Sequence, residues 1–251
     1  MTLDNVPSNE ATTPEPEASR LVLHAHRNSD VWTWASAVAI AAELRRDLMT
    51  KPRARLLVSA DAELASVYKA LSKAPLDWDR VDVGLVDERW LLPDDPDSNA
   101  RFIRNHLLQD HAEAARFEQL TQAGRSIEDS VAIANAHAHQ PASVVVLVMG
   151  EDGHTASLFP GMFDLDRVLS TRQPYVAIDT HGSPDAAPWR KRISLTPSGL
   201  ARAYCRLLLI RGLRKREALA SALARGDRKT CPILAAVDLD NATPLHVHWC
   251  A

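Results

Sequence analysis

The sequence predicts an α/β fold with a doubly wound, mainly parallel sheet, and three observations lead to that class. Short apolar runs alternate along the chain with longer segments of helical periodicity. The strongest run, SVVVLVM at residues 143–149, is apolar throughout, as strands buried on both faces of a sheet are. After residue 20 there is no repeat, low-complexity tract or second break in composition. Together these features predict a Rossmann-like three-layer architecture in a single domain.

The N-terminal segment, residues 1–19, differs in composition from the remainder. It is rich in Pro, Glu, Thr and Asn and has almost no large apolar side chains. Such a segment cannot bury enough apolar surface to offset the entropy lost on ordering. We therefore expect a disordered tail at residues 1–19, followed by the α/β domain at residues 20–251.

Composition and charge exclude several classes of partner. Lys and Arg total 29 and Asp and Glu total 32, so the charge favours neither a nucleic-acid partner nor a membrane surface. No run approaches the roughly 18 apolar residues of a membrane helix, and the N-terminus lacks a signal-like apolar stretch. The three cysteines, Cys205, Cys231 and Cys250, show no metal-ligand spacing. We expect a cytoplasmic protein without a metal, as a monomer or weak homodimer.

The elements follow in order from periodicity and apolar runs. The first long helix is Ala-rich and amphipathic, and Ser29 or Asp30 is placed to cap it. Strands are predicted at residues 55–58, 81–87, 143–149, 175–178, 192–195, 206–210 and 245–249. Helices are predicted at residues 31–49, 61–72, 98–108, 197–203 and 213–224.

Three loops are candidates for a binding site. In open α/β sheets, ligands bind at the loops that follow the carboxyl ends of strands. The loops in question follow Val58, Val86 and Met149. We predict that these three strands are neighbours and that their loops line one cleft.

The loop after Met149 reads GEDGHTASLFPG. Its glycines permit a sharp turn out of the strand, and His154 then lies near a predicted helix start. A histidine in that setting can act as a general base near neutral pH, and a capping or hydrogen-bonded loop histidine is the alternative. His137 and His139 have a spacing that a metal site can use, but their polar surroundings favour a solvated helix end.

The loop after Val86 reads DERWLLPDDPDSNAR and spans residues 87–101. An acidic pair followed by Arg89 at a strand end can orient the guanidinium toward an anionic substrate. A surface cluster of salt bridges is the alternative interpretation of the same residues.

These two loops, in this order and spacing, resemble the 6-phosphogluconolactonase family of the glucosamine-6-phosphate isomerase/6-phosphogluconolactonase superfamily. The segments RISLTPSGL at residues 192–200 and RGLRK at residues 211–215 are also similar to that family, so the resemblance covers about residues 21–224. The related deaminases have Asn before Gly-His in the histidine loop. This chain has Asp152-Gly153-His154-Thr155, which resembles the lactonase version.

The resemblance implies a hydrolase of the pentose phosphate pathway that opens the ring of 6-phospho-D-glucono-1,5-lactone without a cofactor. It also implies that His154 activates water, that Arg89 contacts the substrate in the cleft, and that Arg192 and Lys215 lie near the phosphate. The predicted catalytic residues are His154, Arg89 and Asp87. The predicted substrate-binding residues are Ser59, Asn99, Asp152, Gly153, Arg192 and Lys215.

One loop departs from the family pattern. The family has S-G-G-S-T-P after the first strand, whereas residues 59–64 of this chain read SADAEL. Two glycines that allow close backbone approach to a phosphate are absent, and Asp61 and Glu63 are present. We expect Asp61 to face the cleft and Glu63 to face solvent. This loop leaves open a non-catalytic or weakly active relative that binds a sugar phosphate, and an isomerase or deaminase of the same fold is a further alternative.

Overall fold

The computed structural model describes residues 20–239 and 243–251, so the predicted tail at residues 1–19 lies outside the described residues. The strands are β1 (Leu21–His26), β2 (Ala54–Val58), β3 (Val81–Leu85), β4 (Asp87–Arg89), β5 (Arg116–Glu118), β6 (Val144–Leu147), β7 (Tyr175–Asp179), β8 (Lys191–Leu195), β9 (Cys205–Arg211) and β10 (Leu245–Cys250). The helices are α1 (Ser29–Leu48), α2 (Ala65–Leu71), α3 (Asn99–His106), α4 (Ile127–His137), α5 (Leu165–Ser170), α6 (Pro197–Leu200), α7 (Leu213–Arg225) and α8 (Leu234–Val237). Within the described ranges, each helix is too short or too polar to cross a lipid bilayer.

The central sheet has seven parallel strands in the order β1-β10-β9-β6-β2-β3-β5. Helices cover both of its faces. The guanidinium of Arg211 lies over Trp32 of α1, and that of Arg216 in α7 lies over Trp249. Because Trp249 is the register partner of Ile210, its side chain and that of Arg211 point to opposite faces of the sheet. The predicted α/β class, with a doubly wound parallel sheet between helical layers, is confirmed.

The three strands selected from the sequence are neighbours, because β2 lies between β6 and β3. All five residues of β2 and of β3 are buried, and so are all four of β6. Since the strands are parallel, their carboxyl ends meet at one edge of the sheet. The prediction that the loops after Val58, Val86 and Met149 share one edge is confirmed.

A second sheet was not predicted. It is antiparallel, has three strands in the order β4-β8-β7, and begins directly after β3. The strands predicted at residues 175–178 and 192–195 belong to this sheet and not to the parallel one, and Asp87, predicted as the last residue of the strand at 81–87, begins β4. Those segments are β7 and β8, and Asp87–Arg89 is the strand that pairs with β8. A three-residue strand rich in charge has no apolar run by which to recognise it.

Strands β1 and β5 and helices α4, α5 and α8 have no counterpart among the predicted elements, and the predicted cap of α1 is misplaced. Strands β1 and β5 are the edges of the sheet, where half-exposed positions interrupt the apolar pattern. Helix α1 is capped by Asn28, whose side-chain oxygen accepts a hydrogen bond from the backbone N–H of Val31 at 2.9 Å. The predicted cap at Ser29 or Asp30 was therefore wrong by one residue or two.

Four histidines form a cross-strand stack on β1 and β10: His24, His26, His246 and His248. Ring centroids along the stack are 5.4, 4.7 and 5.2 Å apart. His24 Nε2 lies 3.1 Å from His246 Nδ1, and His26 Nε2 lies 3.2 Å from His248 Nδ1. Burial, followed by the proximity of His24, His26 and His246, lowers the pKa of His248 from 6.5 to about 3.

We predict that His248 makes the protein less stable in acid. Its pKa is about 3 in the folded state and 6.5 in the unfolded chain, so the unfolded state binds the extra proton between these values. This contribution to the free energy of unfolding is complete above the unfolded pKa and falls by up to about 1.4 kcal/mol per pH unit below it. Denaturant unfolding should show that, between about pH 7 and pH 5, the free energy of unfolding falls less steeply in His248→Gln than in the wild type. Equal slopes for both proteins would contradict the prediction.

Candidate active site

A cleft opens where the loops after β2, β3 and β6 meet. Its lining residues are Ser59, Ala60, Asp61, Asp87, Arg89, Asn99, Val148, His154, Ala156, Phe159, Asp185 and Arg192. The structure thus brings together six predicted site residues: Ser59, Asp87, Arg89, Asn99, His154 and Arg192. The other three, Asp152, Gly153 and Lys215, lie beside the cleft without lining it.

His154 is held in place by Asp152. Its Nδ1 lies 2.6 Å from Asp152 Oδ1, which also accepts the backbone N–H of His154 at 3.0 Å. Burial alone raises the pKa of the Asp152 carboxyl, but its hydrogen bonds with His154 bring that pKa below the ordinary value. Because an ionised carboxylate only accepts hydrogen bonds, Nδ1 carries the ring proton and Nε2 is the basic nitrogen.

The turn that carries His154 is tight. A Cβ atom on Gly150 would lie 2.3 Å from His154 Nδ1, so only glycine leaves room for the ring there. Gly153 has φ +85°, and its N–H and C=O are hydrogen-bonded to Gly150 and Ile233. Gly153 therefore shapes the turn, and both its backbone groups are engaged within the protein. The imidazole stacks on Phe159 with ring centroids 4.4 Å apart.

Arg89 enters the cleft from β4 and is positioned by Asn99. Arg89 Nη1 donates to Asn99 Oδ1 at 2.5 Å and to the carbonyl of Asp97 at 3.0 Å. Asn99 Nδ2 in turn donates to the carbonyl of Asp87 at 2.8 Å. The Nε of Arg89 is buried and has no partner among the described residues. This N–H of the guanidinium is therefore not satisfied by the described residues.

Glu88 does not line the cleft but caps α3. Its carboxylate accepts hydrogen bonds from the backbone N–H groups of Arg89, Asn99 and Ala100 at 2.7–2.8 Å and from Ser98 Oγ at 3.0 Å. Burial raises its pKa to about 7, although these hydrogen bonds act to lower it. Glu88 thereby joins β4 to α3 and places Arg89 beside Asn99. The alternative of a surface salt-bridge cluster does not describe these buried contacts.

Arg192 is a buried cation on β8 at the wall of the cleft. Its Nε and Nη2 donate to the carbonyls of Trp189 and Ala186, both at 2.9 Å. Its Nη1 donates to Ser157 Oγ at 3.3 Å, and Ser157 Oγ donates to Asp87 Oδ2 at 2.5 Å. Burial lowers the pKa of Arg192 while the charge of Asp87 raises it, and an arginine remains protonated through such shifts.

The altered loop at residues 59–64 only partly meets expectation. Asp61 lines the cleft, and its Oδ1 accepts the backbone N–H of Glu63 at 2.8 Å. The expectation that Glu63 faces solvent was wrong, because its Oε1 lies 2.9 Å from Lys215 Nζ. The two side chains are 32% and 14% exposed. Lys215 is therefore ion-paired at the flank of the cleft.

Several buried polar atoms without partners lie in or beside this cleft. Among the described residues these atoms include Ser59 Oγ, Glu63 Oε2, Arg89 Nε and Asp152 Oδ2. A buried polar group that lacks a hydrogen bond is destabilising, and native proteins contain few of them. Two of them, Ser59 Oγ and Arg89 Nε, belong to residues that line the cleft, and they leave hydrogen-bonding capacity that a polar ligand or ordered water can satisfy.

Several residues of the site were missed by sequence reasoning. Val148, Ala156, Phe159 and Ser157 lie within or beside the histidine motif, and their place in that motif was the signal available. Asp185 lies in an exposed turn between β7 and β8, and nothing in the sequence pointed to it. Over the described ranges, no group of three or more His, Cys, Asp or Glu side chains is arranged to hold a metal ion.

An α/β cleft that combines an aspartate-oriented histidine with two guanidinium groups defines a site for acid–base chemistry on an anionic ligand. The family model for glucosamine-6-phosphate isomerases/6-phosphogluconolactonase matches residues 28–246. A 6-phosphogluconolactonase of Xylella fastidiosa is 47% identical over 227 residues, which cover 88% of this chain and 94% of the relative. One of Pseudomonas aeruginosa is 37% identical, covering 92% of this chain and 98% of the relative. The chain belongs to the glucosamine-6-phosphate isomerase/6-phosphogluconolactonase family, as its motifs predicted.

Solved structures agree with this assignment. A 6-phosphogluconolactonase from Shewanella baltica superposes with a TM-score of 0.84 at 32% identity and covers 92% of this chain and 98% of its own. A monomeric glucosamine-6-phosphate deaminase has a TM-score of 0.73 at 18% identity, over 91% of this chain and 96% of its own. The fold is therefore common to lactonases and deaminases, and the activity has to be argued from the site.

We predict that Asp152 sets the tautomer of His154. In Asp152→Asn the side chain can donate as well as accept, so it no longer requires the ring proton on Nδ1. Imidazole ¹⁵N NMR above the titration range should show Nδ1–H in the wild type and a mixture with Nε2–H in the variant. Unchanged ¹⁵N shifts in a folded Asp152→Asn protein would show that the carboxylate does not select the tautomer.

Proposed function

We propose that this chain hydrolyses 6-phospho-D-glucono-1,5-lactone to 6-phospho-D-gluconate, a step of the pentose phosphate pathway, with His154 as general base. The observation that carries the proposal is the Asp152–His154 pair, whose histidine lines one cleft with Arg89 and Arg192. The lactonases among the curated relatives support the choice of substrate. The hydrogen-bonded pair supports the choice of base.

The geometry supports a direct attack by water. His154 Nε2 takes a proton from a water molecule, whose oxygen forms a bond to the lactone carbonyl carbon. In this proposal the guanidinium of Arg89 and the hydroxyl of Ser59, both on residues that line the cleft, donate to the developing oxyanion. The bond from that carbon to the ring oxygen then breaks, and the imidazolium returns the proton to the departing oxygen. One water is consumed and no redox step occurs.

Arg192 and Lys215 supply positive charge for the phosphate in this proposal. Arg192 is held by two backbone carbonyls and keeps its charge at the cleft wall, whereas Lys215 lies outside the lining and is paired with Glu63. A δ-lactone is an activated ester, so a positioned water, one base and a few donors are sufficient for its hydrolysis. The proposed reaction therefore needs no metal ion or organic cofactor.

A non-catalytic or weakly active relative is the second candidate, and the acidic loop favours it. Asp61 faces the cleft and Glu63 occupies Lys215, so the cleft offers less positive charge to a phosphate than its basic residues suggest. An assay of lactone opening, corrected for spontaneous hydrolysis, separates the two candidates. Formation of ammonia or a ketose from an amino sugar phosphate would instead indicate a deaminase or isomerase.

We predict that His154→Ala lowers kcat by about two to four orders of magnitude, the usual contribution of a positioned general base. His154 lies on a loop and is part-exposed, so the variant should fold, which circular dichroism checks. His111→Ala is the matched control, because His111 is an exposed histidine outside the cleft. Near-normal turnover of folded His154→Ala would remove the histidine from the mechanism.

We predict that Arg192 and Lys215 act mainly on binding. A charge-assisted contact to the phosphate exists in ground and transition states alike, so its loss raises KM about tenfold or more and leaves kcat nearly unchanged. Arg89→Ala should lower kcat as well, because Arg89 is placed to donate to the carbonyl oxygen.

The measurement compares 6-phosphogluconolactone with plain gluconolactone for Arg192→Lys, Arg192→Ala and Lys215→Ala. Arg214→Ala is the control, since this neighbour of Lys215 is 84% exposed. Equal effects on the two lactones would show that neither residue contacts the phosphate.

A further inference from the structure

Two ion pairs place the first turn of α7 between two loops of the cleft. Lys215 contacts Glu63, which follows Asp61 of the cleft lining by two residues. Arg214 contacts Glu151 at 3.7 Å, and Glu151 belongs to the loop that carries His154. The Lys215 ammonium therefore lies at the flank of the cleft, on the side of the acidic loop.

The two pairs differ in exposure. The side chains of Arg214 and Glu151 are 84% and 59% exposed, so water and salt screen their interaction. Lys215 and Glu63 are mostly withdrawn from solvent, and their Nζ and Oε1 are 2.9 Å apart. The other oxygen of Glu63 is buried without a partner among the described residues. The Glu63 carboxylate is thus partly shielded from solvent, and it neutralises the Lys215 ammonium at close range.

We propose that Glu63 is a specificity-determining residue, an internal anion that occupies Lys215 and weakens the preference for phosphorylated over plain lactones. This inference rests on the proposed lactonase function. A phosphate that reaches Lys215 must share the ammonium with the Glu63 carboxylate or displace it. Either event opposes binding of the phosphorylated substrate only, because a lactone without the phosphate carries no charge to repel.

The same loop offers hydrogen-bond acceptors to an uncharged sugar. Asp61 lines the cleft, and its Oδ1 is engaged by the backbone N–H of Glu63, which holds the carboxylate at the start of a short 3-10 turn. Carboxylate oxygens accept hydrogen bonds from sugar hydroxyls, whereas they repel phosphate oxygens. This end of the cleft therefore favours a neutral polyhydroxy lactone, which the protein accepts as an alternative substrate to the phosphorylated lactone.

The test is Glu63→Gln, which retains the shape and an acceptor oxygen for Lys215 but removes the charge. The ratio of kcat/KM for 6-phosphogluconolactone to that for plain gluconolactone should rise about five- to tenfold, the equivalent of about 1 to 1.4 kcal/mol. The rise should come from a lower KM for the phosphorylated lactone. Glu151→Gln is the matched control, because it makes the same charge change at the partner of Arg214, the α7 residue next to Lys215, and its ratio should equal that of the wild type.

Binding of the stable product is measured in parallel by calorimetry, with 6-phosphogluconate and gluconate as probes. Tighter binding of 6-phosphogluconate by Glu63→Gln, with gluconate binding unchanged, supports the inference. If neither the wild type nor the variant hydrolyses the lactone, this binding result still supports the inference, and only the proposed function is contradicted. An active wild type whose selectivity and affinities are unchanged by Glu63→Gln overturns the inference alone. Equal gains in Glu63→Gln and Glu151→Gln also overturn it, since they would indicate a long-range charge effect.

Discussion

The passage of the chain through Val86 is the constraint on which the rest of the site depends. Its N–H donates to the carbonyl of Val58 in the main sheet at 2.9 Å, and its C=O accepts from Leu195 in the small sheet at 2.8 Å. One buried residue is therefore hydrogen-bonded to both sheets. Because backbone groups in the interior must be paired, the direction in which the chain leaves β3 is fixed at this point.

The strand that follows distributes its three charged residues by alternation. Successive side chains of a strand point to opposite faces, so Asp87 and Arg89 face the cleft while Glu88 points the other way. Glu88 meets the exposed N–H groups at the start of α3 and stabilises that helix end. Asn99, held in this first turn, positions Arg89. The acidic pair in the sequence thus has two distinct roles, one in the cleft and one in support of it.

The sequence was sufficient for the parts of the fold that depend on buried parallel strands. Residues 55–58 and 143–149 are continuous apolar runs, and their order along the chain places their loops at one edge. The small sheet could not be predicted in the same way. Its strand β4 pairs with β8 only because the chain changes direction at Val86, and that turn leaves no pattern in the sequence. Edge strands β1 and β5 were missed for a related reason, since exposed positions dilute their apolar pattern.

The candidate site shows the same division between local and long-range information. His154 and its tight turn could be predicted, since the glycines and Asp152 that shape the turn are near it in sequence. The link from Asp87 through Ser157 to Arg192 could not be predicted. Ser157 is 70 positions from Asp87 and 35 from Arg192, and these residues meet only in the folded chain. The same holds for Glu63 and Lys215, which are 152 positions apart. From sequence, a glutamate in a short polar loop is indistinguishable from a solvated one.

These contacts divide the cleft into two ends that depend on different elements. The end that carries His154, Arg89 and Arg192 is built on β4, on β8 and on the turn after β6, and each of these side chains is held by hydrogen bonds within the protein. The end beside the loop at residues 59–64 is built on a short 3-10 turn and one ion pair. Because the contacts of Glu63 and Lys215 among the described residues do not include His154, Arg89 or Arg192, we expect charge in the loop to act on binding rather than on the positions of those three side chains. In the proposed mechanism, the charge of Glu63 therefore affects which lactone is preferred and leaves the placement of His154 and Arg89 unchanged.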